Sequence, residues 1–170
     1  MKRLPKYTPA EVRNDPYGFT YKEMSEVIGE NEAKALYEEL YKQLPRKKNL
    51  SMLVKNIYKS SDTEKYVYEL KDNKYIETVF IKRRDGGTVC VSTQVGCPVG
   101  CIFCESGRNG FVRNLTSSEI VQQIILLRRK VNRIVFMGMG EPLFNYDNLI
   151  KAIHILRDRY CLLYTSDAAD

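Results

Sequence analysis

Cys97, Cys101 and Cys104, in the run QVGCPVGCIFCESG, constrain this chain more than any other feature, because three thiols so close together must share one loop. Three thiolates are one ligand short of a closed site. A four-iron Fe–S cluster normally takes four cysteines, so three leave one iron open to bind something else. Gly96 and Gly100 allow the backbone to curl so that the thiolates face one cluster, and Phe103 is expected to shield one side from water. A structural zinc site wants four N or S ligands, usually in paired halves, and no second pair occurs. The single histidine, His154, lies between Ile153 and Ile155 in a helical pattern and reads as a packed or surface residue rather than a ligand. Disulfide frameworks belong to short secreted chains. The N-terminus MKRLPKYTPAEV is charged and lacks the apolar stretch of a signal peptide, and no run is long and apolar enough to span a membrane. These features lead to the expectation of a cytoplasmic protein with free thiols.

Residues 88–94 alternate around β-branched side chains and predict a strand that feeds directly into the cysteine loop. Thr116 and Glu119 have the spacing of a capping box, and Ile120, Ile124 and Leu127 recur on one face of the helix that follows. Residues 133–137 form a short apolar run, which predicts a buried parallel strand with Gly138-Met139-Gly140-Glu141-Pro142 as its exit loop. A second helix follows, with Leu149, Ile150, Ile153 and Leu156 facing inward. Strand, helix, strand, helix is the βαβ pattern of an α/β fold. Ligands collect at the carboxyl ends of parallel strands, and both the cysteine loop and the Gly138 loop leave their strands there, so the two face one pocket. Gly138 and Gly140 are expected to admit a ligand close to the backbone, and Glu141 offers a carboxylate to an ammonium group. A plain strand-exit turn is the alternative, and the dinucleotide fingerprint G-x-G-x-x-G is absent. Taken alone, Cys90 reads as a buried core cysteine. Glu77 reads as a solvated strand residue within IETVFI, where Ile76, Val79 and Ile81 are the buried candidates.

Upstream, residues 1–60 read as a small helical domain. Thr8-Pro9-Ala10-Glu11 is a helix start, Asp15-Pro16-Tyr17-Gly18 a break, and residues 33–44 place Leu36, Leu40 and Leu44 on one face. Residues 67–81, with Asp72-Asn73 in the middle, predict a β-hairpin inside a connector spanning 61–88. Basic clusters at Arg46-Lys47-Lys48, Lys82-Arg83-Arg84 and Arg128-Arg129-Lys130 accompany a net charge of +6 and a pI near 9.0. Such runs are ordinarily solvated surface, but the charge balance also fits a polyanionic partner.

Cys-x3-Cys-x2-Cys is the signature of the radical S-adenosylmethionine (radical SAM) enzymes. The stretches VCVSTQVGC, GFVRNLTSSEIVQQI and IVFMGMGEPLFNYDNLIKAI further resemble the dual-specificity adenine-C2 RNA methyltransferases that modify 23S rRNA and tRNA, a likeness spanning residues 66–156. The resemblance implies the N-terminal portion of a radical SAM (β/α) barrel, preceded by a helical accessory domain that helps grip RNA and by a β-hairpin. It implies a 4Fe-4S cluster on Cys97, Cys101 and Cys104, and S-adenosyl-L-methionine held near Phe103, Gly138, Gly140 and Glu141. It gives Cys90 the role of a catalytic cysteine that resolves an enzyme–RNA adduct and ends in a transient disulfide with a methyl-carrying cysteine, a role that needs a depressed thiol pKa. Glu77 takes the role of proton acceptor. An electron donor such as flavodoxin or ferredoxin and a monomeric full-length enzyme complete the implied picture. Two alternatives stay open. One is the sister group that methylates adenine C8 and confers antibiotic resistance, against which Pro142 stands, while Glu105-Ser106 departs from the small-Thr pair common after the third cysteine. The other is a zinc-binding RNA-interaction module without catalysis.

The last ten residues, CLLYTSDAAD at 161–170, resemble the translation of a sequencing-library adapter and are set aside from fold reasoning, Cys161 with them. Residues 89–160 then hold only two βα units, against about 250 residues for a full barrel. The expectation is a fragment, inactive by itself and marginally folded, with an unpaired strand edge.

Overall fold

Three helices begin in the same way in the computed structural model of the chain, which describes residues 6–42, 50–108 and 110–158. The hydroxyls of Thr8, Thr20 and Thr116 accept the backbone N–H groups of Glu11, Glu23 and Glu119, and those carboxylates reach back to the cap N–H groups. Each box satisfies donors that a helix start otherwise leaves without partners. The helices are α1 (Pro9–Asn14), α2 (Tyr21–Ile28) and, after the strands of the hairpin region, α4 (Ser117–Ile125). Between them runs α3 (Glu30–Lys42), and α5 (Tyr146–Leu156) follows α4.

Among the described residues seven strands complete the fold: β1 (Met52–Lys59), β2 (Thr63–Leu70), β3 (Tyr75–Arg83), β4 (Gly86–Cys90), β5 (Gln94–Gly96), β6 (Phe111–Asn114) and β7 (Arg133–Val135). The main sheet has the order β1-β2-β3-β4-β7. Its first four strands form an antiparallel meander, while β7 pairs with β4 in parallel through the α4 crossover. A small antiparallel ribbon joins β5 and β6. The chain is thus mixed α/β, with one βαβ unit at the edge of a twisted meander.

Alternation sorts the sheet into two faces. Tyr66, Tyr68 and Leu70 of β2 and Ile76, Thr78 and Phe80 of β3 are buried against the helices. Val67, Glu77, Val79 and Cys90 lie on the opposite face and are half-buried. The phase of β3 is therefore shifted by one residue from the expected set: Ile76 is buried, but Val79 and Ile81 are not its partners. The reason is Thr78, a polar residue that enters the core because a glutamine meets it there, so hydrophobicity alone misplaces the pattern.

All nine residues of α4 are buried. On one side the helix is hydrogen-bonded to Tyr68 and Thr78 of the sheet, and elsewhere it meets the turn Pro16–Gly18 and α5. Gln123 faces the sheet. Its Oε1 accepts the Thr78 hydroxyl and the Ser92 backbone N–H, both at 2.8 Å, and its Nε2 donates to the carbonyls of Ser92 and Glu119 at 3.0 and 3.2 Å. Gln122 faces the other way, accepting the Ser51 N–H at 2.8 Å and donating to the Ser118 hydroxyl, which donates in turn to Asp15. The N-terminal helices carry a cluster of tyrosines, with the Tyr17, Tyr37 and Tyr41 rings in edge and tilted contact. Each such fully buried side chain contributes about 1.5 to 3 kcal/mol of hydrophobic stabilisation.

Three further differences from the sequence reading have physical causes. Strand β1 lies inside the segment read as helical; only Met52 of its eight residues is buried, so no alternation marked it. The strand expected over 88–94 divides into β4 and β5, because the Gln123 side chain takes both backbone groups of Ser92 and interrupts the ladder. The β7 strand is parallel as expected but half-exposed, since one of its edges carries no neighbour among the described residues. The Arg46-Lys47-Lys48 cluster, Leu44 and the 161–170 tail lie outside the described residues.

Replacing Gln123 with alanine orphans Thr78 and both backbone groups of Ser92 in the core. Unsatisfied buried groups cost about 1 to 3 kcal/mol each, so Q123A is expected to lower the unfolding free energy by about 3 kcal/mol in urea titration. A loss below about 1 kcal/mol would show that the amide is not what joins α4 to the sheet.

Candidate functional site

The sheet face turned away from the helices carries two of the predicted site residues side by side. Cys90 of β4 is paired with Val79 of β3, and Glu77 follows two positions along on the same face. Such diagonal neighbours stand about 7 to 8 Å apart. The Glu77 carboxylate is 45% exposed and meets the Lys65 ammonium at 3.0 Å, which leaves its second oxygen free of any described partner. The Ser92 hydroxyl donates to the Glu77 carbonyl and accepts the Met139 N–H at 2.9 Å. One serine therefore fastens the glutamate strand to the loop after β7. Cys90 is half-buried, and burial pushes its thiol above its ordinary range while a hydrogen bond from the Met137 backbone pulls the other way. The depressed thiol that a nucleophile needs is not built by these surroundings.

The cysteine loop leaves β5 at Gly96. Its φ of +73° suits glycine, and the space a Cβ would fill there is occupied by the Gly110 carbonyl. That carbonyl accepts the Cys97 N–H at 3.2 Å, and the Cys101 carbonyl accepts the Cys104 N–H at 3.0 Å. Gly100, also left-handed, turns the chain between the first two cysteines. Cys97 and Cys104 are half-buried, Cys101 is exposed, and all are free thiols. Phe103, expected as a shield, is 89% exposed beside Ile102 at 98%. These side chains offer apolar cover to whatever the loop encloses rather than to the loop itself.

Gly138 and Gly140 are confined by protein atoms on the side where a Cβ would point. At Gly138 that Cβ would lie 2.7 Å from the Ser92 nitrogen, and at Gly140, where φ is +97°, 2.7 Å from Gln94 Cγ. The glycines let the exit loop lie flat on the 92–94 segment, a nearer reason for their presence than ligand approach. The Met139 carbonyl accepts the N–H groups of Thr93 and Gln94, and the Glu141 N–H donates to Gln94 Oε1 at 2.9 Å. Glu141 itself caps the turn Pro142–Asn145 by accepting the Leu143 N–H at 3.2 Å.

Sequence reasoning missed the side chains that hold these loops together. Gln94 Nε2 donates to Asn114, Asn145 Nδ2 donates to the Thr93 and Leu115 carbonyls, and Arg113 forms two hydrogen bonds to Glu119 and one to Asp72. The signal was available as amides and hydroxyls in VSTQ and VQQI, within otherwise apolar elements, since buried polar groups must find partners.

A cleft of about 370 Å³ lies on this face, where Glu77, Gly96, Glu105, Ser106 and Met139 meet Val67. The structure therefore brings together the strand glutamate, the cysteine loop and the Gly138 loop, as their position at the carboxyl ends of β4 and β7 requires. Among the described residues no three metal-ligating side chains converge, so the cysteine loop must gather its thiols around any metal it holds. The donor set is three reduced sulfurs with no imidazole near them, which suits an Fe–S cluster.

Comparisons with known proteins agree with this geometry. Residues 91–169 match the Radical SAM superfamily. A protein of Thermotoga sp. (strain RQ2), named a probable dual-specificity RNA methyltransferase, is 50% identical over 114 residues, covering 65% of this chain and 33% of that protein. A protein of the same name from Thermosipho melanesiensis is 41% identical over 166 residues, covering 94% of this chain and 47% of its own length. A crystal structure of a radical SAM methyltransferase from Sphaerobacter thermophilus superposes with a TM-score of 0.79 at 30% identity, over 89% of this chain and 54% of that one. The chain spans a third to a half of the length of these curated relatives. With its cysteine loop, its parallel βαβ unit and this match from residue 91 onward, the chain belongs to the radical SAM superfamily.

Proposed function

We propose that this chain is the cluster-bearing part of an RNA methyltransferase that modifies C2 of adenine in 23S rRNA and tRNA. The observation that carries the reading is the exit of the Cys97, Cys101 and Cys104 loop over the sheet face that presents Glu77 and Cys90. The names of the relatives supply the RNA substrate class, and adenine C2 follows from the resemblance of the GFVRNL and GMGEP stretches to that family.

Cys97, Cys101 and Cys104 would hold the 4Fe-4S cluster, leaving one iron for S-adenosylmethionine. When bound, the pair supplies one-electron cleavage and a carbon-centred radical, with the electron drawn from a partner such as flavodoxin or ferredoxin. The residues of this chain do the rest by position. Phe103 and Ile102 would offer apolar cover to the group that the loop encloses. The Glu141 carboxylate, beside the Gly138-Met139-Gly140 backbone, would take the ammonium group of the cofactor. Glu77 keeps one carboxylate oxygen for a proton while Lys65 steadies the other, and Cys90, on the same face, is placed to assist release of the product. A cytoplasmic setting and a monomeric full-length enzyme belong to the same proposal; no helix among the described residues is long and apolar enough to cross a membrane.

Anaerobic reconstitution with iron and sulfide tests the reading. About four irons per chain, with a paramagnetic signal that S-adenosylmethionine perturbs and that C101A loses, is the expected result. One zinc and no iron would replace the enzyme with a binding module.

The raised Cys90 thiol gives a second expectation. Its thiolate fraction should still be rising at a pH where an ordinary cysteine has levelled off, so alkylation of the Cys90 peptide, followed by mass spectrometry across pH, should plateau at a higher pH than a free thiol does. A plateau below that of a free thiol would mean that Cys90 is activated in the folded chain after all.

A further inference from the structure

At the end of the sheet opposite the cysteine loop, the β1–β2 turn, the β3–β4 turn and the loop after α4 enclose a second cleft, of about 490 Å³. Five cations line it: Lys82, Arg83, Arg84, Arg129 and Lys130. Three carboxylates face them, and two are already engaged. Glu64 takes two hydrogen bonds from Arg129, at 3.0 and 2.7 Å, and these hold its pKa below the usual range. Asp62 accepts the hydroxyls of Ser61 and Thr63 at 3.3 and 3.4 Å. Those hydroxyls are neutral, so Asp62 and Asp85 together offset two of the four cations that remain once Arg129 and Glu64 are paired. The side chains of Lys82, Arg83, Arg84 and Lys130 have no ion-pair partner among the described residues, and all four are exposed. Neighbouring Arg128 adopts a left-handed φ of 51°, a conformation bulky residues rarely take, and this reversal sets Arg129 and Lys130 in the cleft wall.

An unneutralised cationic cleft attracts polyanions. Its one aromatic residue is Phe80, 5% exposed, so no ring is offered for a base to stack upon. That combination reads phosphates and not bases. We propose that this cleft is an RNA-backbone site, which anchors the sugar-phosphate chain of the substrate at the pole of the sheet away from the cysteine loop. The nine residues of β3 separate the two poles by roughly 25 Å at strand rise, a span that an extended RNA covers and a mononucleotide does not. The inference rests on the RNA methyltransferase reading and adds to it where the RNA is held.

Fluorescence anisotropy with a labelled mixed-sequence single-stranded RNA, measured on the whole chain between about 50 and 200 mM salt, tests it. The variant K82A/R84A/K130A, checked for folding by circular dichroism, is expected to bind at least about tenfold more weakly, with a salt slope flatter by about 2. D85N should bind more tightly, because it removes one of the two carboxylates that oppose the four remaining cations, and K130R should bind as the parent does. Unchanged affinity and slope in the triple variant overturn the site, as does a parent chain that binds no RNA. Should the triple variant fail to fold, D85N decides by the sign of its effect. Iron loading does not depend on this cleft, so failure of the enzyme reading and failure of this site register in different experiments.

Discussion

The carboxamide of Gln123 has no access to water and fills all four of its hydrogen-bonding positions with protein groups. An amide can donate two hydrogens and accept two, and here it joins a side chain of β3, both backbone groups of Ser92 and the helix carbonyl of Glu119. The arrangement decides where β4 stops. At Ser92 the chain exchanges ladder hydrogen bonds for those of a side chain, while Val91, Thr93 and Gln94 bond to the end of β7 and its exit loop. Without a partner of this shape on α4, both backbone groups of Ser92 would be stranded in a buried layer, at a cost of about 1 to 3 kcal/mol each.

From that break the rest of the site follows. Ser92, held by Gln123 through its backbone, is left with a free hydroxyl, which ties the Glu77 carbonyl to Met139. Gln94 repeats the device one step further, gripping Glu141 and Asn114. The loops at the carboxyl ends of the strands are therefore held by side-chain amides and hydroxyls, each with defined geometry. The cysteine loop is the exception. Among the described residues its backbone hydrogen bonds are short-range turns and one bond from Cys97 to Gly110, and its apolar tip stands in solvent. A rigid floor beneath a loosely tethered loop suits a site whose metal-binding residues close around a cluster, because the thiols can gather without disturbing the sheet.

Much of this framework was legible in the residues. The Thr116–Glu119 box, the Asp72-Asn73 turn with Asn73 at φ 59°, and the parallel pairing of β4 with β7 all follow from local chemistry, and local chemistry is written in consecutive residues. The cysteine triad announced its loop for the same reason. What stayed hidden depended on contacts between distant segments. Thr78 looks like a surface threonine until Gln123, far along the chain, is placed opposite it. Arg113 reads as one more basic residue, yet it bridges Asp72 and Glu119 across three elements. Gly138 and Gly140 advertise close approach, and only the fold says that Ser92 and Gln94 are what approach. Strand β1 escaped notice because seven of its eight residues are exposed, which removes the alternation a strand reading relies on.

The two ends of the sheet differ in kind, and the difference comes from the direction of its strands. The carboxyl ends of β4 and β7 carry loops rich in glycine, amides and thiols, with few fixed charges, and a neutral floor of that sort leaves a bound charged cofactor as the dominant local electrostatic feature. At the other end, hairpin turns and the loop after α4 carry arginine and lysine with too few carboxylates to match them. Because β4 and β7 are parallel, a crossover helix must return the chain from one end to the other, and α4 does so fully buried. Basic residues that follow it, from Arg128 onward, therefore emerge at the pole farthest from the thiols. The same crossover that fixes Gln123 under the site thus also separates this cationic surface from the metal-binding loop.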